Sequence, residues 1–341
     1  MQKKYNFHFI ALASALLLVS NSANAKTSIY DNNISALNIN TLSDIFMSYT
    51  DHGTNVSDLF EQREMYGTMR RIDEYGDDGS TLTTLKSSRT TERSTDLFIN
   101  NIWANANHFN TDMHYDHDIS KHGKFNLATV GATTKTMELK HGNISFGGFA
   151  SYINTKVSET KSNGAVAGIF SHYTFRNFGA HTLTNIGFLN SSNDNTDFSN
   201  SWLNISTDVY ANLKLDNTFY VKPSVYIGYT WVASDDFRTN GSYVTTSDYN
   251  FLNIAPKLEF IKQISKNWYG SMSGKYVAHF ISDNTIHANG TSYDSIDLDN
   301  HFDLGIDVEY DMDHFVFGGN IHKQLGGIDG WNTNLNVKYI F

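Results

Sequence analysis

The sequence predicts an all-β protein: an antiparallel transmembrane β-barrel of about twelve strands, preceded by a short helix. Three observations predict it. From Leu97 onward, segments with one apolar and one polar face alternate with clusters of turn residues. The connections between them read as long and short by turns. The final stretch, Trp331 to Phe341, has aromatics at both ends of its apolar face and stops on Phe. Side chains on a strand alternate with a period of two, and a lipid-facing wall carries aromatic girdles at both interfaces.

Composition narrows the choice. The chain has 341 residues, no Cys and two Pro. Lack of Cys excludes a disulfide framework and thiolate chemistry. Beyond the N-terminus, no apolar run approaches the ~18–20 residues of a transmembrane helix, whereas barrel strands need only ~9–11 alternating residues. The formal charge of −10 argues against a nucleic-acid partner, which would favour a basic patch.

Residues 1–25 read as a secretory signal peptide. Lys3 and Lys4 form the positive region, Phe9 to Val19 the apolar region, and Ala23-Asn24-Ala25 the cleavage site. The mature chain is expected to start at Lys26. Residues 26–56 form a short, polar, passenger-like segment with one helical patch. There Thr41-Leu-Ser-Asp44 reads as a capping box, followed by Ile45, Phe46 and Tyr49. A second helix is expected over 57–75, with Arg63, Arg70 and Arg71, and residues 76–95 read as a linker.

Strands are expected at 97–110, 124–137, 142–154, 164–176, 181–190, 200–213, 218–232, 249–262, 267–281, 298–311, 314–324 and 331–341. In 298–311, Leu298, Phe302, Leu304, Ile306, Val308 and Tyr310 share one face. Asp299, His301, Asp303, Asp307, Glu309 and Asp311 share the other. In 249–262, Leu252, Ile254, Leu258 and Phe260 oppose Asn253, Lys257 and Glu259. Pro223 and Pro256 each remove a ladder donor and should mark weak pairing. Long connections are expected near 111–123, 155–163, 191–199, 234–248, 282–297 and 325–330. In the closing strand, Trp331, Leu335, Val337, Tyr339 and Phe341 face outward, and it should pair with both 314–324 and 97–110.

Residues 96–341 resemble the autotransporter β-domain, the translocator barrel of type V secretion. The resemblance rests on Leu97 to Trp103, on Tyr220-Val-Lys-Pro223 to Tyr229, on Asn267-Trp-Tyr269 and on the terminal Asn334 to Phe341. It implies a twelve-stranded barrel in the outer membrane of a Gram-negative bacterium. Its partners would be outer-membrane lipid and the barrel assembly machinery, which reads the terminal strand. The resemblance also implies a helix threading the pore. Residues 57–75 are the candidate, their arginines facing the lumen acids Glu259, Asp303, Asp307 and Glu309. A usual passenger of this family is far longer than the stretch from Lys26 to that helix. The expected function is therefore insertion with presentation or translocation of a short N-terminal segment. The alternative is a stand-alone barrel used as a surface-loop interaction protein, binding a host or surface ligand, or as a narrow porin.

Catalytic and metal chemistry find little support. His114-x-x-His117 lies among Asp112, Asp116 and Asp118, but without fixed geometry a solvated polar loop is the simpler reading. There is no HExxH, no His-x-Ser pair and no phosphate loop. No enzyme activity and no cofactor is expected.

Overall fold

The computed structural model describes residues 31–51, 98–115, 119–193, 196–239, 242–281, 285–288, 291–294, 297–312 and 314–341. Helix α1 spans Asp31–Asp51. Twelve long strands follow: β1 Ile99–Tyr115, β2 Ile119–Thr134, β3 Gly142–Val157, β4 Thr160–Phe175, β5 Phe178–Asn193 and β6 Thr196–Ala211. The others are β7 Phe219–Ser234, β8 Tyr249–Gln263, β9 Trp268–Ile281, β10 His301–Met312, β11 Phe315–Gly326 and β12 Ile328–Ile340. Each pairs antiparallel with its neighbours in sequence, and β12 closes on β1 from Asn101↔Ile340 to Met113↔Ile328. All twelve expected strands are present.

Closure leaves no open edge among these strands, which is how a barrel satisfies its backbone polar groups in lipid. The period-two pattern decides which face is which. Ile169 and Leu335 are about 70% exposed, at 69% and 71%, and belong to an outer band with Val130, Ile186, Ile306 and Met272. Inward positions are buried, and most of the polar residues among them are Asn, Ser and Thr. No helix among the described residues is long and apolar enough to cross a membrane. The strands carry the crossing.

The prolines interrupt the sheet where a donor is missing. The β8–β9 ladder skips Ala255 and Pro256 between Ile254↔Ala278 and Lys257↔Lys275. The β6–β7 ladder stops at Tyr210↔Ser224, beside Pro223, and resumes as Leu213↔Val221. Two strand glycines have a packing role. A Cβ at Gly131 or Gly187 would come within 2.2 Å of the facing indole of Trp103 or Trp202, so each seats a lumen tryptophan across the strand pair.

Two expectations are corrected. Four of the six long connections are mostly strand: β1 reaches Tyr115, β3 and β4 are joined by the turn Ser158-Glu159, β5 reaches Asn193, and β12 starts at Ile328. Above the apolar band the outward face turns polar and the inward face mixes apolar residues such as Met113, Val157 and Phe198 with Ser and Thr, so alternation weakens while the hydrogen-bond ladder continues. The connections at 235–248 and 282–300 are long. They carry four short strands, Phe237–Thr239, Ser242–Thr246, Thr285–Ala288 and Thr291–Asp294, in one small sheet. Nor is Thr41 a helix cap. α1 begins at Asp31, and Thr41 Oγ1 donates to the Leu37 carbonyl one turn back, at 3.2 Å. Mid-helix Thr bonds backward in this way.

Candidate functional site in the barrel lumen

The lumen has two halves. Toward the rim opposite Phe341 it is filled by α1. Ile34, Leu37, Ile39, Leu42, Ile45, Phe46 and Met47 are all buried, as are Ser35, Asn38 and Asn40. A helix buried on every side suits a core and not a surface. Phe46 stacks on Phe149 of β3 with centroids 5.7 Å apart. The polar residues have partners on the wall. Asn200 donates to Ser35 Oγ at 3.0 Å, and Ser35 lies 3.4 Å from Ser191. Asn40 and Asn253 exchange two amide hydrogen bonds of 3.0 Å. Asn253 also meets His279 at 3.0 Å, and His279 meets His301 at 3.1 Å.

These contacts give α1 a direction. Ser35, near its start, sits beside Ser191 and Asn200 at the rim far from Phe341. Ile45 and Met47, near its end, line a cavity that reaches Asn100, beside Phe341. The helix therefore runs from the far rim toward the rim where β1 begins.

That second half of the lumen is a polar cavity of about 290 Å³. Glu259, Asp303, Asp307 and Glu309 all line it. Strand order brings them together, because β8, β9 and β10 are neighbours and these residues share the inner face. Their partners are bases on the same strands and on β11. His322 Nδ1 meets Asp303 at 2.6 Å and its Nε2 lies 3.6 Å from Asp307. Lys275 Nζ is 3.8 Å from Asp303, and Lys257 is 3.0 Å from Glu259. Ser271 Oγ lies 2.9 Å from Glu259 and 3.1 Å from Asp307, donating its proton to one of them. Charged groups so placed compensate one another's desolvation. At the β1–β12 seam amides pair across the wall: Asn107 donates to Asn332 and Asn334 donates to Asn105, both at 2.7 Å.

Of the other sequence-predicted residues, Trp331, Leu335 and Val337 face outward and are exposed. Tyr339 packs against Phe341 edge-on at 5.2 Å and against Phe315 at 5.1 Å. The Phe341 N–H donates to the Asn100 carbonyl at 3.0 Å, tying the last residue to the first strand. Ala23, Ala25, Lys26 and the 57–75 candidate helix with Arg63, Arg70 and Arg71 lie outside the described residues. The lumen helix that is described, α1, falls instead within the segment expected to be passenger-like. His117 also lies outside the described residues, while His122 contacts Asp112 at 2.8 Å on the exposed surface. No group of three metal-ligating side chains occurs among the described residues.

Sequence reasoning missed Lys275 and His322 as partners of the acids. Lys275 is hard to place by alternation, because 267–281 carries a weak pattern. His322 looked like one of fourteen histidines.

Twelve strands in sequential antiparallel order, an apolar outer band and a helix descending the lumen toward the first strand decide the fold. Its fold is that of an autotransporter β-domain. The β-domain of the Bordetella autotransporter BrkA superposes with TM-score 0.57 at 12% identity, covering 71% of this chain and 100% of that one. The transport unit of AIDA-I from Escherichia coli gives 0.58 at 11%, covering 82% and 98%. The translocator domain of NalP from Neisseria meningitidis gives 0.57 at 9%, also covering 82% and 98%. No family model matches the sequence, and no curated protein does. The autotransporter-type barrel is thus an outer-membrane β-barrel architecture reached with little shared sequence. What is preserved is alternation and closure, which many sequences satisfy.

Proposed function

We propose that this protein inserts in the outer membrane of a Gram-negative bacterium as an autotransporter-type barrel and presents its short N-terminal segment at the cell surface. One observation carries this reading: the direction of α1. The helix starts at the rim away from Phe341 and ends above the cavity beside the β1 start. Short turns such as Arg176-Asn177 lie at the Phe341 rim, and the two long connections lie at the other. In outer-membrane barrels short turns are periplasmic and long loops external. Residues preceding Asp31 would then emerge outside.

The chain from Asp51 to Ile99 has to reach the Phe341 rim from inside the lumen. We propose that residues 57–75 pass through the polar cavity, with Arg63, Arg70 and Arg71 against Glu259, Asp303, Asp307 and Glu309. Charge-assisted pairs favour such a route. Signal cleavage between Ala25 and Lys26, delivery by the barrel assembly machinery through the Trp331–Phe341 strand, and a non-enzymatic role complete the proposal.

Intact cells treated with protease test it. An epitope tag inserted before Asp31 should be cut while the barrel stays whole. A tag protected on intact cells and cut only after the outer membrane is opened would overturn surface presentation.

A further inference from the structure

Three lysines stand in one row on the outer wall. Lys124 of β2 pairs in register with Lys156 of β3, and Lys156 with Lys161 of β4. All three are exposed and point away from the lumen. Directly opposed like charges destabilise a strand pair, and here two such pairs adjoin. Among the described residues no ion pair engages any of them. Lys323 offers the contrast. It lies in the same row, three strands beyond Lys124, but its ammonium contacts Asp329 and lies 5.5 Å from the Trp331 ring.

The height of the row is set by register. Lys124 faces Asn110, which faces Trp331 of the closing strand. Toward the Phe341 rim the next outward row is Asn126, Asn154 and Asn163, with Asn154 donating to Asn163 at 2.6 Å. Below it come Ala128, Tyr152 and Ala165, then Val130, Ala150 and Ala167, with Val130 61% exposed. The sequence of rows is cation, amide, then apolar wall. It is the profile of a surface crossing from headgroups into hydrocarbon, with an interfacial Trp at cation level.

We infer that Lys124, Lys156 and Lys161 form a binding site for the phosphate groups of a lipid in the leaflet at the far rim, its acyl chains lying down the wall of β2–β4. The anion removes the repulsion that the row otherwise carries, and the asparagines below supply donors to the headgroup. This rests on the outer-membrane reading above, in which that leaflet is the external one. A free phosphate has no chains to place on Val130 and Ile169, so the site is assigned to lipid-borne phosphate.

The test uses the full-length mature barrel, folded in neutral detergent and checked by heat-modifiable gel mobility, which reports the barrel independently. Lipid A, its enzymatically dephosphorylated form, and inorganic phosphate are the probes, with bound lipid counted by native mass spectrometry. Lipid A should bind at least tenfold more tightly than the dephosphorylated lipid. The triple variant Lys124→Gln, Lys156→Gln, Lys161→Gln should lose about tenfold in affinity, and the triple Lys→Arg variant should retain it. If the triple Gln variant does not fold, Lys156→Gln alone should show a loss of severalfold. Equal binding of the two lipids, unchanged binding by a folded Gln variant, or full competition by millimolar inorganic phosphate would overturn the proposal. Failure of the wild-type chain to form a heat-modifiable barrel would instead overturn the outer-membrane reading.

Discussion

Asn40 and Asn253 lie 213 positions apart in sequence, and their side-chain amides exchange two hydrogen bonds of 3.0 Å, joining α1 to the barrel wall. Both residues are at most 1% exposed. Replacing either one with Ala leaves the other's amide buried with fewer partners. Each single change should cost about 1–3 kcal/mol, and the double variant should cost less than their sum. Thermal melting of the four-member cycle measures this. Strict additivity would mean that the pair does not anchor the helix.

Removing residues 31–75, α1 together with the segment proposed to thread the cavity, should open the pore. α1 fills the far half of the lumen, and the half that remains is a polar cavity of about 290 Å³. Planar-bilayer recordings should show a much larger single-channel conductance for the deletion than for the full mature chain. Equal conductance would show that neither α1 nor the 57–75 segment obstructs the path.

The closing strand should be sensitive at its end. Phe341 joins Tyr339 and Phe315 in an aromatic cluster beside the seam. Phe341→Asp should lower the amount of heat-modifiable barrel recovered from outer membranes severalfold. Undiminished levels would remove the terminal aromatic from any role in insertion.

Two substitutions one position apart separate the faces of β10. Ile306 is 57% exposed on the outer wall. Ile306→Arg places a charge in lipid and should cost about 2–4 kcal/mol near the midplane. Asp307 faces the lumen, where Asn still accepts from Ser271, so Asp307→Asn should cost well under that. Urea titration of folding into lipid vesicles gives both values. A larger loss for Asp307→Asn would contradict the assignment of faces.

At the Phe341 rim, outside the membrane span, Asp216 accepts hydrogen bonds from the Thr218 backbone N–H at 2.6 Å and its hydroxyl at 2.9 Å. These bonds hold its carboxyl below the ordinary range. Its contribution to the turn is therefore present above the unfolded carboxylate pKa and is lost as pH falls through the lower folded value. Site-specific titration by NMR should show the depressed midpoint, moving up in Thr218→Ala. A midpoint unchanged by that substitution would remove the hydroxyl from the cause.

Strand positions were legible because alternation is a local signal. Ile306 and Asp307 could be assigned to opposite walls from six neighbours on either side. Closure was legible for the same reason, since Trp331–Phe341 shows one wet and one greasy face with no spare edge. The signal fades where the outward face loses its apolar residues, and Lys156 and Ser192 therefore looked like loop while lying in β3 and β5. The lumen helix was harder still. The helical patch after Thr41 was legible, but α1 is buried all round and its Asn and Ser residues read as solvent-facing, so nothing local placed it in the lumen. The 57–75 segment, rich in charge, looked the more natural occupant of a polar pore.

Strand number and strand faces could be read locally because alternation lies within each strand, and the closing pair followed from the need of such a sheet to leave no open edge. Tertiary structure alone decided that α1 occupies the lumen, that His322 and Lys275 balance Asp303, and that Lys124, Lys156 and Lys161 share a row. Those facts depend on register between strands and on contacts across the barrel. Register is set by closure of the whole sheet, so no local pattern carries it.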